Sequence, residues 1–179
     1  MNEPASEPTV HFSAEPGADL TIPFARLPEL AGSEFAGRWW SVDPDRVRAF
    51  EEGTYLDELP FEWPDGAFPE SMLEGFHLLG LLDYMMNPVL RVRGGEFSGW
   101  NYGLDRVRFV SPVSVEDRIR LTGRIAEVRP KDEGFLILQD CVVEVDGREQ
   151  PGFVAQWWVF WLPAGPASKS DLGINKREG

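Results

Sequence analysis

The hydrophobic pattern changes character along the chain, from helical to strand-like. Residues 71 to 88, with the sequence SMLEGFHLLGLLDYMMNP, are apolar at most positions and leave no wide polar face. A helix that is apolar on every side is surrounded by other structure, so this segment predicts a buried central helix. Ser71 and Glu74 stand at the spacing of a capping box, and Asn87 followed by Pro88 supplies a stop signal.

After this segment, apolar and polar residues alternate as they do in strands. In LDRVRFVSPV (104 to 113) and DRIRLTGRIAEV (117 to 128), arginines alternate with branched and aromatic residues. Two more extended segments follow, GFLILQDCVVEVDG and PGFVAQWWVFWLP, with Asp146 and Gly147 as a hairpin signal between them. One apolar helix followed by four such strands predicts an α+β fold with an antiparallel sheet curled around the helix.

Upstream, SVDPDRVRAFEEGTY predicts a short amphipathic helix. Asp43 suits the N-cap, Pro44 the first helical position and Gly53 the end, while Val47 and Phe50 form one apolar stripe. The following fifteen residues, LDELPFEWPDGAFPE, contain three prolines and an Asp-Gly pair, which predicts a loop.

The ends of the chain have a different composition from the centre. Residues 1–20 and 165–179 are polar, rich in Pro, Gly and Ser, and without periodicity, so we expect two mobile tails. A chain of 179 residues has room for one sizeable core. We therefore expect a single domain at 21–164.

The charge balance narrows the class of partner. With 17 basic and 30 acidic side chains the net charge is -13, which repels phosphate backbones and anionic lipid surfaces. The first twenty residues lack the basic and apolar stretches of a signal peptide, and no segment has the roughly 20 apolar residues of a membrane span. We expect a cytoplasmic protein with no nucleic-acid or membrane partner.

The chain offers few metal ligands and no nucleotide-binding motif. Cys141 is the one cysteine, His11 and His77 are the two histidines, and there is no HExxH pattern. The stretch RGGEFSG matches neither GxGxxG nor GxxxxGK, and GxSxG is absent. We expect neither a metal nor another cofactor.

The order of elements, together with NYGLDRVRFVSPVSVEDRIRLTGRIAEV (101 to 128), resembles the MaoC-like branch of the hot-dog fold, particularly its NodN-like members. The resemblance runs from about Leu27 to Pro163. It includes LPELAGSEF, VDPDRVRAFEEGT, LEGFHLLGLLDYM at the position of the hot-dog helix, and QPGFVAQWWVFWLP as the closing strand.

This resemblance implies hydration or dehydration of acyl thioesters carried on coenzyme A or an acyl carrier protein, by a homodimer. In the family, an Asp and a His on the loop before the hot-dog helix activate water. A backbone N–H at the N-terminus of that helix polarises the thioester carbonyl, which is reasonable because unpaired donors there stabilise a developing oxyanion. By this resemblance Gly75 is the oxyanion donor here; its competing role is close helix packing.

The catalytic loop departs from the family pattern. The corresponding stretch, TYLDELPFEW (54 to 63), contains no histidine. Depending on a one-residue gap, the family Asp falls on Leu56 or Asp57 and the family His on Phe61 or Glu62. The histidine that often precedes the helix glycine in relatives is Glu74 here.

His77 is consequently the candidate acid–base histidine, since His11 lies in the predicted tail. Asp57, Glu62 or Glu74 is a candidate to orient it and tune its pKa, or to act itself. Each has a structural alternative: a hydrogen-bonded core histidine for His77, a capping-box partner for Glu74, and solvated loop carboxylates for Asp57 and Glu62.

Other side chains are candidates for substrate binding or assembly. Trp100, Asn101 and Tyr102 precede a predicted strand and are candidates to line the pocket mouth, with a structural turn as the alternative. The strand arginines are expected on a solvated sheet face, one of them a candidate for a carrier phosphate. We expect three tryptophans to build the core and a subunit interface: Trp157, Trp158 and Trp161.

Three functions follow from these residues. The first is a hydro-lyase or related acid–base catalyst acting on an acyl or polyketide-type substrate, in secondary metabolism. The second is a hot-dog domain without catalysis that binds an acyl ligand or a partner subunit. The third is a thioesterase, which needs a water activator near the helix start.

Overall fold

A computed structural model describes residues 20–58, 71–93 and 97–163 of the chain. The predicted tails, apart from Leu20 at the start of β1, and Glu62 lie outside these residues. Among the described residues, no helix is long and apolar enough to cross a membrane. Besides two 3₁₀ helices, Phe24–Leu30 and Leu56–Glu58, the elements are β1 (Leu20–Pro23), β2 (Glu34–Ala36), α1 (Pro44–Gly53), α2 (Gly75–Gly80), α3 (Leu82–Met86), β3 (Leu90–Arg93), β4 (Phe97–Phe109), β5 (Ile119–Lys131), β6 (Gly134–Val145) and β7 (Phe153–Pro163).

The larger sheet has five strands in the order β2-β5-β6-β7-β4, and each neighbouring pair is antiparallel. β1 and β3 form a separate parallel pair. β5, β6 and β7 fall where the alternating pattern predicts them. β4 begins at Phe97, before the predicted segment 104 to 113, and it includes Trp100, Asn101 and Tyr102, so a structural turn at these three residues is wrong. The predicted α+β fold with an antiparallel sheet is confirmed.

The core forms where α2 and α3 pack with the apolar side chains of the sheet. Leu78, Leu82 and Met85 from the helices share one hydrophobic cluster with Leu121 and Val159 from the strands. Cys141 is also buried in this cluster, and burial raises the pKa of its thiol to about 12, with the nearby Asp140 carboxylate adding to the shift.

The central helical segment differs from the prediction in its start and its continuity. Helix begins at Gly75, because the preceding residues are extended: Met72 forms a bridge with Ser114, and the Leu73 N–H donates to the Val113 carbonyl at 2.7 Å. The predicted capping box does not form, since no side chain caps this helix. The segment then divides into two short helices.

The central helical segment is also not buried on every side: one of its faces is exposed to solvent in the single chain. Phe76 is 75% exposed and Tyr84 is 62% exposed. The prediction of a buried helix is therefore correct for the face that packs on the sheet. It is wrong, in the single chain, for the face that carries Phe76 and Tyr84.

The short upstream helix follows the prediction. The Asp43 side chain caps α1 by accepting from the Asp45 N–H at 2.9 Å, and Pro44 is the first helical residue. Val47 is buried, and the helix ends at Gly53.

The outer face of the sheet carries the arginines that were expected there. Three of them pair with carboxylates on the neighbouring strand or the turn that follows it: Arg118 with Asp146, Arg120 with Glu144, and Arg124 with Asp140. Trp157 is buried in the core as predicted.

Candidate functional site

The N-terminus of α2 opens onto an apolar cavity. Gly75 lines this cavity of about 270 Å³ together with Leu78, Phe109, Val110 and Val113, among others. The first N–H groups of a helix have no partner within the helix, so they remain available as donors. The expected oxyanion donor, Gly75, therefore lies beside a space that is largely free of competing polar side chains.

Gly75 is also tightly packed. A Cβ at this position would lie 2.8 Å from Cζ of Phe109, which is closer than side chains approach one another. Close packing, the structural alternative for this glycine, is thus observed. A donor role involves the backbone N–H, which every residue except proline has, so the packing does not decide between the two roles.

A hydrogen-bonded network holds the cavity wall in place. Asp117 Oδ2 accepts from the Ser114 N–H at 2.8 Å, and Asp117 Oδ1 accepts from Arg148 Nη2 at 2.6 Å. Arg148 Nη1 also donates to the Pro112 carbonyl at 2.8 Å. Arg148, in the β6–β7 loop, therefore fixes this wall of the cavity. The wall in turn holds the residues before α2, because the Val113 carbonyl accepts from the Leu73 N–H.

A second cavity lies further along the groove between the helices and β4. Its volume is about 370 Å³, and its lining includes Phe76, Asp83, Asn101, Tyr102 and Trp157. Two of the three predicted substrate-binding residues, Asn101 and Tyr102, are thus brought together here. Trp100 does not line it and packs edge-on against Phe160, with ring centroids 5.1 Å apart.

Asn101 joins the strand to the helix. Its Oδ1 accepts from Trp157 Nε1 at 2.7 Å, and its Nδ2 donates to Asp83 Oδ2 at 2.9 Å. This arrangement fixes the amide orientation, because the reversed amide would oppose two donors at one end and two acceptors at the other. Asn101 is therefore a structural link whose amide oxygen and nitrogen are both engaged.

His77 lies in different surroundings, against α1. It is 6% exposed and stacks on Phe50 with ring centroids 4.5 Å apart and an interplanar angle of 9°. Its Nδ1 is buried without a hydrogen-bond partner among the described residues. Burial lowers the pKa of this imidazole, and the nearby Glu51 carboxylate partly opposes the shift, so His77 is neutral at pH 7.

The predicted acid–base residues are not gathered around the Gly75 cavity. His77 is two positions after Gly75, about 200° around the helix, so the two face different sides. Asp57 is exposed in the 3₁₀ helix after α1, and Glu74 is half-buried at the α2 N-cap. Among the described residues, neither carboxylate makes a hydrogen bond to His77.

Two charged residues near the helices were missed by the sequence analysis. Glu51 lies near His77 although α1 precedes it by more than twenty residues, which no local pattern reveals. Asp83 had a detectable signal: it lies seven residues after Phe76, on the same helical face, and it is an acid within an otherwise apolar stretch.

A larger cavity, of about 880 Å³, lies at the other end of the helical segment. Its lining includes Trp39, Trp40, Tyr84 and Pro88 and none of the predicted site residues. Size alone does not make it the site, because it is remote from the N-terminus of α2, where Gly75 lies.

Curated relatives cover most of this chain. It is 29% identical to nodulation protein N of Rhizobium leguminosarum bv. viciae over 143 residues, which are 76% of this chain and 89% of the relative. It is 31% identical to 3-hydroxyacyl-thioester dehydratase Z of Mycobacterium tuberculosis over 123 residues, which are 66% of this chain and 81% of the relative.

Solved structures share the fold. The monoamine oxidase regulatory protein of Archaeoglobus fulgidus matches with a TM-score of 0.60 and 18% identity, over 83% of this chain and 100% of that structure. The R-hydratase PhaJ1 of Pseudomonas aeruginosa matches with a TM-score of 0.55 and 18% identity, over 82% of this chain and 92% of that structure. No family model matches the chain. The sequence relationship to the dehydratase, on a fold shared with these structures, shows that the chain belongs to the MaoC-like family of hot-dog-fold dehydratases.

Proposed function

We propose that the protein is a hydro-lyase that adds water to, or removes it from, an acyl thioester carried on coenzyme A or an acyl carrier protein. The observation that carries this proposal is the start of α2 at Gly75, which opens onto an apolar cavity in a chain related to a 3-hydroxyacyl-thioester dehydratase. An acyl or polyketide-type substrate fits the apolar lining, and we place the reaction in secondary metabolism.

The proposed chemistry follows from the donor at the helix start. In dehydration, a base removes a proton from the carbon next to the thioester carbonyl, and negative charge develops on the carbonyl oxygen. The Gly75 N–H stabilises that oxygen. The hydroxyl on the next carbon then leaves as water after accepting a proton from a general acid, and hydration is the reverse.

We propose that the acid–base groups come from His77, Asp57, Glu62 and Glu74. Glu74 is adjacent to Gly75 and is only half-buried, which favours it among the described carboxylates. His77 is neutral at pH 7 and so is in the state that accepts a proton, but its ring faces Phe50. Its participation requires substrate to reach the α1 side of the helix.

We further propose that the protein is a homodimer that pairs across β4. Exposed apolar side chains lie on both sides of this edge strand, Trp100 and Tyr102 near Phe160 on the outer face and the others on the helix side. Together they are here called the β4 surface: Phe76, Trp100, Tyr102, Leu104, Phe109 and Val110. β4 is at one end of the larger sheet, so its outer N–H and C=O groups lack a strand partner within it. A second copy would cover the apolar side chains and close the groove.

A second candidate function is binding of an acyl ligand without catalysis. The stacking of His77 on Phe50 favours it, because a histidine packed in this way has the contacts of a core residue. A thioesterase is the third candidate. It needs the same oxyanion donor, but water attacks the thioester carbonyl carbon itself.

The test is a mass-spectrometric assay of the purified protein with trans-2-enoyl and 3-hydroxyacyl thioesters. We expect the wild type to add one water to the thioester or to remove one from it. The rate should fall in Glu74→Gln or in His77→Ala, according to which group acts. Hydrolysis to the free acid would indicate a thioesterase. Binding without any change in mass would favour the ligand-binding function.

A further inference from the structure

A single carboxylate lies in the apolar groove, beyond the cavity of Gly75. Phe76, Gly80 and Asp83 occupy one face of the helical segment, at spacings of four and seven residues. Leu81, between α2 and α3, keeps a right-handed conformation with φ -82° and ψ -6°, so this face continues from one helix to the next. Asp83 is the one carboxylate among the described residues that line the 370 Å³ cavity.

The Asp83 side chain is exposed, and one hydrogen bond from the core orients it. Trp157 is 3% exposed and donates to Asn101, and Asn101 donates to Asp83 Oδ2. Both the oxygen and the nitrogen of the Asn101 amide take part in these bonds. Asp83 Oδ1, in contrast, makes no hydrogen bond to a described residue. An ionised carboxylate accepts several hydrogen bonds, so Asp83 retains capacity for a donor from outside.

The two cavities are neighbours, and two aromatic rings in contact lie between them. Phe76 lines the cavity of Asp83 and makes an edge-on contact with Phe109, which lines the cavity of Gly75; the ring centroids are 6.5 Å apart. Eight helical positions separate Gly75 from Asp83, which corresponds to roughly 12 Å along the axis at about 1.5 Å per residue. An extended acyl chain that is bound at Gly75 by its carbonyl and passes the Phe76–Phe109 contact would have its far end near Asp83.

We propose that Asp83 determines specificity for acyl groups that carry a hydrogen-bond donor, a hydroxyl or an amine, roughly 12 Å from the thioester carbonyl. This inference rests on the proposed function for the position of the carbonyl. An unsubstituted fatty chain offers the carboxylate no donor and brings methylenes against it, which removes water without replacing its hydrogen bonds. Pockets of this kind, apolar with one placed polar group, discriminate by that group.

The first experiment measures binding without requiring turnover. Decanoic, ω-hydroxydecanoic and ω-aminodecanoic acids are titrated into the wild type, Asp83→Asn and Asp83→Leu by calorimetry. Asp83 is exposed, so solvent screens the interaction and we expect a substituted acid to bind the wild type about fivefold more tightly than decanoic acid. The hydroxyl and amine probes identify which donor is preferred.

The variants decide whether Asp83 causes the preference. We expect Asp83→Leu to lose it and Asp83→Asn to weaken it, with Asp83→Asn available if the leucine variant does not fold. Asp105→Asn is the matched control, because Asp105, like Asp83, is an exposed carboxylate that accepts one side-chain hydrogen bond, in its case from Trp158 Nε1 at 2.9 Å on the outer face of the sheet. Equal affinity of the wild type for all three acids, or no binding of any, would overturn the inference.

Turnover separates this inference from the proposed function. The trans-2-enoyl thioesters of the same chains are assayed for hydration. Hydration of all of them at equal kcat/KM supports the hydro-lyase and overturns the role of Asp83. A binding preference lost in Asp83→Leu, without any hydration, supports the Asp83 subsite and removes the hydro-lyase.

Discussion

His77 lies flat against Phe50, with ring centroids 4.5 Å apart and planes within 9° of parallel. Burial in this stack lowers the imidazole pKa below its ordinary 6.5. The native state therefore binds fewer protons than the unfolded state near and below that value, so the contribution of His77 to stability is complete above pH 6.5 and falls as the pH drops.

We predict that the His77→Gln variant loses less stability than the wild type when the pH is lowered. The measurement is the free energy of unfolding from urea denaturation at pH 8 and pH 5, for the wild type and the variant. Because carboxylates titrate in both proteins, the informative quantity is the difference between the two pH dependences. An identical dependence would show that the His77 pKa is not lowered by folding.

Gly75→Ala is predicted to reduce both stability and activity. The new Cβ meets the Phe109 ring at 2.8 Å, and overpacking of this kind costs about 1–3 kcal/mol. Gly53→Ala is the matched control, because nothing lies within 4 Å of a Cβ there. Thermal unfolding and the enoyl-thioester assay give the two readouts.

A second substitution separates packing from catalysis at this position. Gly75→Ala combined with Phe109→Leu is expected to recover stability through the smaller side chain. Recovered activity would mean that packing alone was at fault. Activity that stays low in a stable double variant, but not in Phe109→Leu alone, would mean that the alanine methyl group blocks the approach of the thioester to the residue 75 N–H.

The wall of the Gly75 cavity is predicted to depend on Asp117. Asp117→Ala removes the acceptor for both Ser114 and Arg148, and the loss is expected to cost about 1–3 kcal/mol because the Asp117 side chain is mostly buried. Asp45→Ala removes an exposed ion pair with Arg48 and should leave the urea midpoint unchanged. Equal effects of the two variants would contradict the structural role of the wall network.

The β4 surface is predicted to hold two copies together. Leu104→Glu places a charge within it and should shift the protein to a monomer in sedimentation velocity. Tyr55 is also exposed but lies outside this surface, so Tyr55→Glu should leave the assembly unchanged. A wild type that sediments as a monomer would remove the dimer proposal.

Local patterns predicted β5, β6, β7 and α1 because the causes are local, whereas the short strands β1, β2 and β3 were not predicted, since they form by pairing with segments distant in sequence. Alternating side chains define the two faces of β5, and Asp43 with Pro44 defines the start of α1 within a few residues. The start of α2 was predicted incorrectly for the opposite reason. Residues 71–73 pair with 113–115, about forty positions away, and this tertiary pairing keeps them extended.

The site was predictable only in part for a similar reason. Gly75 was found through its family resemblance, and its cavity agrees with that assignment without testing its chemistry. The chain of bonds from Trp157 through Asn101 to Asp83 joins β7, β4 and α3, so no single segment contains its pattern. The roles of Asp57, Glu62, Glu74 and His77 stay predictions.

The buried Cys141 gives the protein a useful property for spectroscopy. It is the one thiol of the chain, and with a pKa of about 12 it carries almost no thiolate at neutral pH. Maleimide probes react with the thiolate, so the native protein provides a silent background. A cysteine introduced on the exposed edge of β4 would be labelled selectively, and paired spin labels there would report the distance between two copies directly.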